Sequence, residues 1–476
     1  MQDAKSVQYN VAKPWQLYVF SVHDVMLNCF LYTMGFISYL ATGYYGLLAT
    51  TAAVIATGSR IFDAITDPMV AFIIERTDGR FGRYRPMMAL GWVITSLAIL
   101  GLFFFCVPSG NLAIYLLLYV VYVIGYSFMM TAHGGARSAF TNEPAQRNHL
   151  GFMMGVWSKV FYMVMGVVLS SYLMVKHKGM NLAAMQELVI IMLVASFVVL
   201  VLTIIALGDR DVPENYRNVV SEKVSLKDMF RVITKNRNFQ MVLVACASDR
   251  IALTVSASSV VMIAVWGIVA GNYGFYGKLG VITFIPSVIL SYLGTKYATK
   301  IGKKQSVVRF SWIGIICSVS IILLFTIGDP TKIGSGILMT ALFLIIYCIH
   351  QGCQGVTSAM KNPMLADVAD ADMCENGGKQ MASIVNAAYC LVDKCIVAFA
   401  TTITGYGFAA VGYVTSQPQV GDPSSPAMVA MSLAMWMAMI ILALILSLKA
   451  MRFYKLDNAR MVEVQKWIAE RKAETK

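Results

Sequence analysis

The chain has little charge for its length. Of its 476 residues, 13% are charged and 58% are hydrophobic. A soluble globular protein carries about 25% charged residues. The low charge content therefore excludes a soluble globular protein and predicts a protein that crosses a membrane several times. The first ten residues, MQDAKSVQYN, lack the apolar core of a signal peptide. We therefore expect the first apolar run to be a retained membrane span.

Signatures of enzymes and of metal frameworks are also missing. The sequence contains no P-loop, no HExxH and no nucleophile elbow. Its nine cysteines are scattered, mostly within apolar runs, and no CxxC occurs, which indicates neither a disulfide framework nor a cysteine zinc site. In a membrane protein the net charge of +13 is first a topology signal and only weakly a nucleic-acid signal. We expect no catalysis, no cofactor and no nucleic-acid partner.

Long apolar runs are what the chain has in abundance. Windows of about 20 apolar residues mark helices that can cross a bilayer. They predict twelve spans, at residues 16–41, 46–74, 87–107, 112–138, 149–175, 185–208, 239–268, 273–299, 305–327, 333–363, 381–409 and 426–453. The expected fold class is an all-α integral membrane protein with twelve transmembrane helices in two six-helix bundles.

Basic residues give the expected orientation and domain boundaries. Lys and Arg collect on the cytoplasmic side, and almost all of those between the predicted spans fall on one side, including seven in residues 209–238. Both termini should therefore be cytoplasmic. We expect a six-helix bundle at 1–208, a cytoplasmic loop with an amphipathic helix at 209–238, a second bundle at 239–453 and a cytoplasmic tail at 454–476. Two halves with six predicted spans each are typical of a parallel repeat.

Two carboxylates interrupt the second predicted span. Asp63 and Asp67 are four residues apart and share one helical face, with Arg60 one turn earlier. An ionisable residue at the centre of a span costs about 2.5–3.5 kcal/mol, so two should face a polar interior. They offer oxygen ligands to a small cation or can accept a proton. The alternative is an Arg60–Asp63 pair, with Asp67 capping a break at Pro68.

Further charges lie at membrane depth in spans one and eleven. Asp24 can accept hydrogen bonds from the hydroxyls of a sugar or polyol; alternatively, it pairs with a Lys or Arg on another helix. Lys394 can donate to a sugar hydroxyl, balance the span-two carboxylates or act as a gating charge. Asp393 points to another side of the same helix and is not expected to pair with Lys394.

A basic group lies in spans four and five. His133 and Arg137 are four residues apart, and Lys159 lies in the next span. Arginine binds anionic groups through two parallel hydrogen bonds, so these three residues form a candidate site for an anionic substrate group. In the alternative interpretation, Arg137 extends toward the membrane surface.

Two aromatic residues and one charged pair complete the candidates. Trp157 and Tyr389 lie deep enough to stack on a sugar ring, although core packing is the default for aromatic side chains. Asp249 and Arg250, near the start of span seven, are expected to be interface charges.

The segment RIFDAITDPMVAFIIERTDGRFGRYRPMMALG at residues 60–91 resembles the glycoside–pentoside–hexuronide cation symporters, the melibiose permease-like group of the major facilitator superfamily. That family carries D-A-x-x-D-P in span two and G-[KR]-[FY]-[KR]-P after it; here the motifs read DAITDP at 63–68 and GRYRP at 82–86. The resemblance implies the twelve-helix fold of that superfamily and transport of a sugar-like solute, coupled to Na⁺ or H⁺ by alternating access.

The resemblance also implies roles for single residues. Asp63 and Asp67 would bind the coupling cation, which is a metal site if the ion is Na⁺, and Thr66 and Ser127 fall where the family has further cation ligands. Asp24 matches a sugar-binding aspartate, and Lys394 matches a lysine near the cavity.

The sequence departs from the family in spans four and five. The family pattern [ND]-I-P-[YF]-[GW] is replaced by MTAHG at residues 130–134, and Met154–Gly155 stand where the family has an arginine. We therefore expect a pocket unlike that of a galactoside carrier, with His133, Arg137 and Lys159 in the missing roles. The ADVADAD stretch at 366–372 is expected to be the connection after span ten.

The family further implies a bacterial cytoplasmic (inner) membrane location and a monomer as the working unit. Two alternatives stay open: an exchanger or exporter of an anionic sugar or organic sulfonate, and a membrane solute sensor that does not transport. A long soluble signalling domain would favour the sensor, and the 476 residues contain none.

Overall fold

The computed structural model describes residues 11–77, 79, 81–107, 110–141, 143–212, 226–375, 382–457, 460–464, 466–467 and 470. The regular secondary structure of this part of the chain is helical, apart from an isolated bridge between Gly79 and Gly82. The α-helices, in chain order, are α1 Pro14–Phe20, α2 Asp24–Met34, α3 Ile37–Tyr44, α4 Ala49–Glu75, α5 Tyr84–Leu100, α6 Leu112–Phe140, α7 Pro144–Val167, α8 Met174–His177, α9 Leu182–Ala206, α10 Leu226–Lys235, α11 Arg237–Ser256, α12 Ser259–Met262, α13 Tyr273–Ile301, α14 Lys303–Thr326, α15 Ile337–Glu375, α16 Ala382–Ala410, α17 Pro426–Leu433 and α18 Met439–Phe453.

Within the described residues, eleven helical stretches are long and apolar enough to cross a membrane. The first of them, Pro14–Tyr44, joins α1, α2 and α3. Helix α4 has 27 residues but stands apart from the eleven because Arg60, Asp63 and Asp67 interrupt its apolar sequence. Together with α4, every one of the twelve predicted spans corresponds to helix, and the predicted fold class is confirmed.

The chain forms two compact units. The first comprises residues 1–220 and 414–417, with α1 to α9; the second comprises residues 221–413 and 418–476, with α10 to α18. Residues 213–225, which belong to the expected cytoplasmic loop, lie outside the described part of the chain. In the second unit, α10 buries Met229 and Val232 and exposes Phe230.

Asparagine side chains fix where several long helices begin. The Asn111 carboxamide oxygen accepts the Ala113 N–H at 2.9 Å, before α6. Asparagine precedes α9, α11 and α13 in the same way, as Asn181, Asn236 and Asn272. The first amides of a helix have no partner within it, and an oxygen at this position supplies one.

The start of α5 is held by one buried carboxylate. Asp211 accepts backbone N–H groups from Arg83 at 2.9 Å and from Tyr84 and Arg85 at 2.8 Å. Gly82 has a φ of +83°, and a Cβ there would collide with Asp211. The basic motif after α4 therefore has a structural role in this chain, because its backbone joins α5 to the residues that follow α9.

Helices α5 and α6 approach each other closely at two glycines. A Cβ on Gly91 would meet the Gly125 carbonyl, and a Cβ on Gly125 would meet Thr95. The absence of side chains at both positions lets the two backbones pack together. This contact positions α6, which carries Ser127 and His133.

The helix of the tenth predicted span continues beyond the predicted end of that span. We expected the span to end at residue 363 and a connection to begin at Ala366, but α15 runs without a break through Ile337–Glu375. The acidic residues are accommodated because Asp367 is held by Lys303, whose Nζ lies 2.7 Å from both carboxylate oxygens. This long-range ion pair gives Asp367 a partner on another helix, and the sequence pattern did not reveal it.

Candidate functional site

Asp63, Thr66 and Ser127 form a hydrogen-bonded cluster between α4 and α6. The Ser127 hydroxyl donates to Asp63 Oδ1 at 3.1 Å and lies 3.2 Å from the Thr66 hydroxyl. All three residues are buried, with exposed fractions of 8%, 8% and 1%. Thr66 also hydrogen-bonds the Asp63 carbonyl at 3.2 Å. Carboxylate, hydroxyl and carbonyl oxygens are the ligands that hard cations take.

Asp67 lies one turn beyond Asp63 on α4 and is half-buried. The shared helix places both carboxylates on one face of α4, as their spacing predicts. The side chains of Arg60 and Pro68 lie outside the described residues, so the alternative of an Arg60–Asp63 pair stays open.

A row of tyrosines lies on the half of α6 that precedes the cluster. Tyr115, Tyr119, Tyr122 and Tyr126 stack in sequence, with ring centroids 6.0, 6.2 and 5.9 Å apart. All four are buried, and the Ser59 hydroxyl of α4 donates to Tyr119 at 3.2 Å. The spacings of four, three and four residues keep the rings on one face. The sequence interpretation missed this face, although its 4-3-4 spacing is visible in the sequence.

A second polar cluster joins α6 to the residues at the start of α2. His133 Nε2 lies 2.6 Å from Asp24 Oδ1. The rings of His23 and His133 meet edge to face, with centroids 3.8 Å apart. His23 and His133 are 0% and 1% exposed. The partner that we had considered for Asp24, a Lys or Arg on another helix, is here a histidine.

Asp24 begins a polar stripe along α2. Asn28, one turn later, donates to Ser158 of α7 at 3.2 Å and accepts from the Tyr162 hydroxyl at 3.4 Å. Tyr32, one further turn along, donates to the Met165 carbonyl at 3.4 Å. Sequence analysis overlooked Asn28, although its spacing of four from Asp24 marks the same helical face.

The three residues of the expected basic group have different surroundings. His133 contacts Asp24, Arg137 is exposed one turn later on α6, and Lys159 is exposed on α7. Among the described residues, no ion pair joins Arg137 or Lys159 to a carboxylate. Trp157 is half-buried on α7, and its indole N–H has no hydrogen-bond partner in the described structure.

Charges in the second unit form ion pairs. Lys361 of α15 is 2% exposed and contacts both the Asp249 carboxylate and the Ala245 carbonyl of α11. Arg250 lies 3.7 Å from Asp393 of α16. Asp249 and Arg250 thus each pair with another helix of their own unit, and the expectation that they are interface charges stays a prediction. Lys361 is the residue that the sequence did not identify.

The two remaining candidates lie on α16. Lys394 is half-buried and follows Asp393, which is paired with Arg250. Tyr389 is half-buried and packs against the apolar core of the second unit, which is the packing role that we had kept as its default.

Comparisons with known proteins identify the family. A family model described as MFS/sugar transport protein matches residues 21–458. The chain is 25% identical over 246 residues to a lactose permease of Lactobacillus delbrueckii subsp. bulgaricus, an alignment that covers 50% of this chain and only 39% of that protein. It thus spans well under half the length of this relative.

Two Escherichia coli proteins align over most of their length. One, named as a glycoside/cation symporter, is 20% identical over 81% of this chain and 80% of its own. The other, named as a glucuronide carrier protein homolog, is 22% identical over 86% of each chain. Among solved structures, a bacterial homolog of the human lysosomal transporter Spinster matches with a TM-score of 0.57 and 14% identity, over 96% of this chain and 99% of that one. At this identity the likeness shows the fold alone.

Proposed function

Because the chain belongs to the MFS/sugar transport protein family, within the glycoside–pentoside–hexuronide symporters of the major facilitator superfamily, we propose that it moves a sugar or glycoside-like solute together with Na⁺ or H⁺. The protein is a multi-pass membrane transporter and not an enzyme. The solute, the coupling ion and the alternating-access cycle are parts of the proposal. We further propose that it works as a monomer in a bacterial inner membrane, with both termini in the cytoplasm.

The observation that carries the proposal is the Asp63–Ser127–Thr66 cluster. A cation at this cluster would gain oxygen ligands from two helices, α4 and α6, and Asp67 lies one turn away on α4. Cation binding would bring positive charge to a buried carboxylate, which favours the conformation that receives solute. Such a coupling between two sites is typically worth 1–3 kcal/mol and acts equally in both directions.

The solute site in this proposal includes the stripe on α2 and its surroundings. Asp24 and Asn28 present a carboxylate and a carboxamide on one helical face, and both suit sugar hydroxyls. Trp157 on α7 and Lys394 on α16 are further candidates from the sequence. The names of the aligned relatives, which include a glycoside/cation symporter, support a glycosidic solute.

A second candidate solute is an anionic sugar. The exposed guanidinium of Arg137 lies one turn beyond His133, and Lys159 adds an exposed positive charge on α7. One of the aligned relatives is named as a glucuronide carrier protein homolog. In this variant of the proposal, Arg137 binds the carboxylate through paired hydrogen bonds.

The test is the thermal stability of the purified protein with neutral glycosides, hexuronides and sugar sulfonates, each with and without Na⁺ and at several pH values. A ligand that binds the native state stabilises it by RT ln(1 + [L]/Kd), which is about 2.7 kcal/mol at a hundredfold excess over Kd. We expect a sugar-induced shift that the coupling ion enhances. A shift with anionic sugars alone supports the second candidate, and no shift with any sugar contradicts the glycoside assignment.

A further inference from the structure

Three metal-ligating side chains meet in the first unit. His23, Asp24 and His133 each place one ligand atom within 4.8 Å of those of the other two. His23 directly precedes α2, Asp24 begins it, and His133 lies on α6. Two helical segments therefore converge on a set of two imidazoles and one carboxylate.

The orientation of His23 is the first reason to regard this set as a site. His23 Nδ1 lies 2.8 Å from the Phe20 carbonyl, so a neutral ring donates Nδ1–H there and keeps a lone pair on Nε2. That Nε2 is buried and has no hydrogen-bond partner among the described residues. A buried polar atom without a partner destabilises the folded protein. Histidines that bind metals usually donate their other ring N–H to a carbonyl or carboxylate, as His23 does.

His133 and Asp24 supply the second reason. His133 Nε2 is within 2.6 Å of the Asp24 carboxylate, and its Nδ1 is buried without a hydrogen-bond partner in the described structure. Ligands on one zinc ion sit about 2.0–2.2 Å from it. Rotations of the three side chains would bring their ligand atoms to one ion, since all three already lie within 4.8 Å.

The donor set indicates the class of metal. Imidazole nitrogens with one carboxylate suit Zn²⁺ and neighbouring divalent transition metals, whereas Na⁺, Mg²⁺ and Ca²⁺ take oxygen ligands. Three protein ligands leave a fourth position of a tetrahedral ion for water or another molecule. The Asp63–Ser127–Thr66 cluster offers oxygen ligands alone and therefore suits Na⁺, Mg²⁺ or Ca²⁺ rather than Zn²⁺.

We propose that His23, Asp24 and His133 form a binding site for a divalent transition metal of the Zn²⁺ class. The site joins α2 to α6 and is separate in residues and in ligand chemistry from the candidate cation cluster. Metal binding at this site does not depend on the proposed transport function. One consequence does rest on that function: a metal that takes Asp24 removes a sugar ligand, so metal and solute should compete.

Arg137 places a positive charge near the proposed metal site. It lies one turn beyond His133 and acts electrostatically on all three ligands. A guanidinium near the site repels a second cation and weakens its binding. Replacing Arg137 with glutamine should therefore tighten metal binding, whereas replacing any ligand should weaken it. A purely structural packing of the two imidazoles predicts neither change.

The experiment is a Zn²⁺ titration of the purified, tag-free full chain by calorimetry, in sodium-free buffer without sugar. We expect one saturable site in the wild type. Loss of groups that only orient metal ligands costs about 10–100-fold in affinity, so H133Q and D24N should lose at least as much. R137Q should bind more tightly. H350Q is the matched control, because His350 on α15 is also buried at 1% exposure but belongs to no such cluster among the described residues.

X-ray absorption of the zinc-loaded wild type gives a readout that does not depend on a variant folding. We expect two imidazoles in the coordination shell. A shell without imidazole, no saturable binding, or unchanged affinity in H133Q and D24N would each overturn the proposal. Zinc that binds as expected but is not displaced by any sugar leaves the metal site standing and contradicts the assignment of Asp24 to the solute.

Discussion

Carboxylates at membrane depth have different partners in the two units. In the first unit, Asp63 accepts from the Ser127 hydroxyl and Asp24 lies against the His133 imidazole. In the second unit, Asp249 contacts the buried Lys361 and Asp393 contacts Arg250. Hydroxyl and imidazole groups are ligands for cations as well as hydrogen-bond partners, whereas an ammonium or guanidinium brings a full opposite charge.

The two kinds of partner suit two different roles for a carboxylate inside the protein: a structural ion pair and a cation-binding ligand. An ion pair inside a protein satisfies both charges and needs no external ligand, and breaking it leaves an uncompensated charge. A carboxylate among hydroxyls and imidazoles can exchange partners with a small cation, a proton or a metal at lower cost. The proposed ion-binding site lies in the first unit, and we expect a structural role for these two acids of the second. Four variants, ordered from the largest expected effect to the smallest, test the comparison.

The largest effect is expected at Lys361 in the second unit. K361M leaves the Asp249 carboxylate, whose side chain is only 15% exposed, without its ammonium partner, and loss of one partner of a buried pair destabilises by about 3–5 kcal/mol. Chemical denaturation in detergent measures the free energy of unfolding. The double variant K361M/D249L should recover most of that loss, because apolar residues can replace a buried pair. A loss below about 1 kcal/mol in K361M would contradict a structural role for the pair.

D63N should uncouple transport from the cation. The amide keeps the size of the carboxylate but removes its charge, and with it a coupling of 1–3 kcal/mol, or about 5–150-fold in affinity. Ion-driven accumulation in membrane vesicles should be abolished, while exchange of labelled for unlabelled solute can persist. The matched control is D393N, which alters an acid of the second unit and should accumulate solute normally. Normal accumulation by D63N would refute the cation-site assignment.

S127A should weaken the same cluster without removing its charge. The variant loses one hydroxyl ligand and one hydrogen bond, worth about 1 kcal/mol or roughly fivefold in cation affinity. The ion concentration that half-maximally enhances solute binding should rise accordingly. The control is S196A, which removes a buried serine that receives the Trp92 indole N–H at 3.0 Å, outside the cluster. An equal change in both variants would mean that the Ser127 effect is only structural.

The smallest effect is expected at Arg250. Its pair with Asp393 spans 3.7 Å, and the arginine side chain is 60% exposed. Exposed ion pairs contribute about 0–1 kcal/mol, so R250Q should change the free energy of unfolding by no more than that. Coupling to the cation should be intact. A loss above about 2 kcal/mol would show that this pair resembles Lys361–Asp249 more than its exposure suggests.

Some of the candidate site could be predicted because helical periodicity acts over short distances. The spacing of Asp63 and Asp67 places both on one face of α4, and the apolar runs predict the twelve spans. The same rule could have identified Asn28 on the face of Asp24. It could not show that Ser127 reaches Asp63, which only the resemblance to a family implied. Periodicity says which side of a helix a residue occupies and nothing about which helix faces that side.

The sequence interpretation did not identify two long-range ion pairs. Lys361 lies within the tenth predicted span, and its partner Asp249 lies 112 residues away. The acidic stretch from Ala366 resembled a connection because no sequence rule places Lys303 beside Asp367. In both cases a charged residue that is unfavourable in its local sequence is paired with an opposite charge on another helix.

The sequence by itself determined the membrane class, the number of spans and the helix faces on which charges lie, because hydropathy and the 3.6-residue period are local properties of the chain. Only the tertiary structure decided the partners of those charges. It placed His133 against Asp24, Ser127 against Asp63 and Lys361 against Asp249. The physical reason is that burial makes each of these polar groups require a partner, while the packing of helices that are distant in sequence determines which partner is within reach.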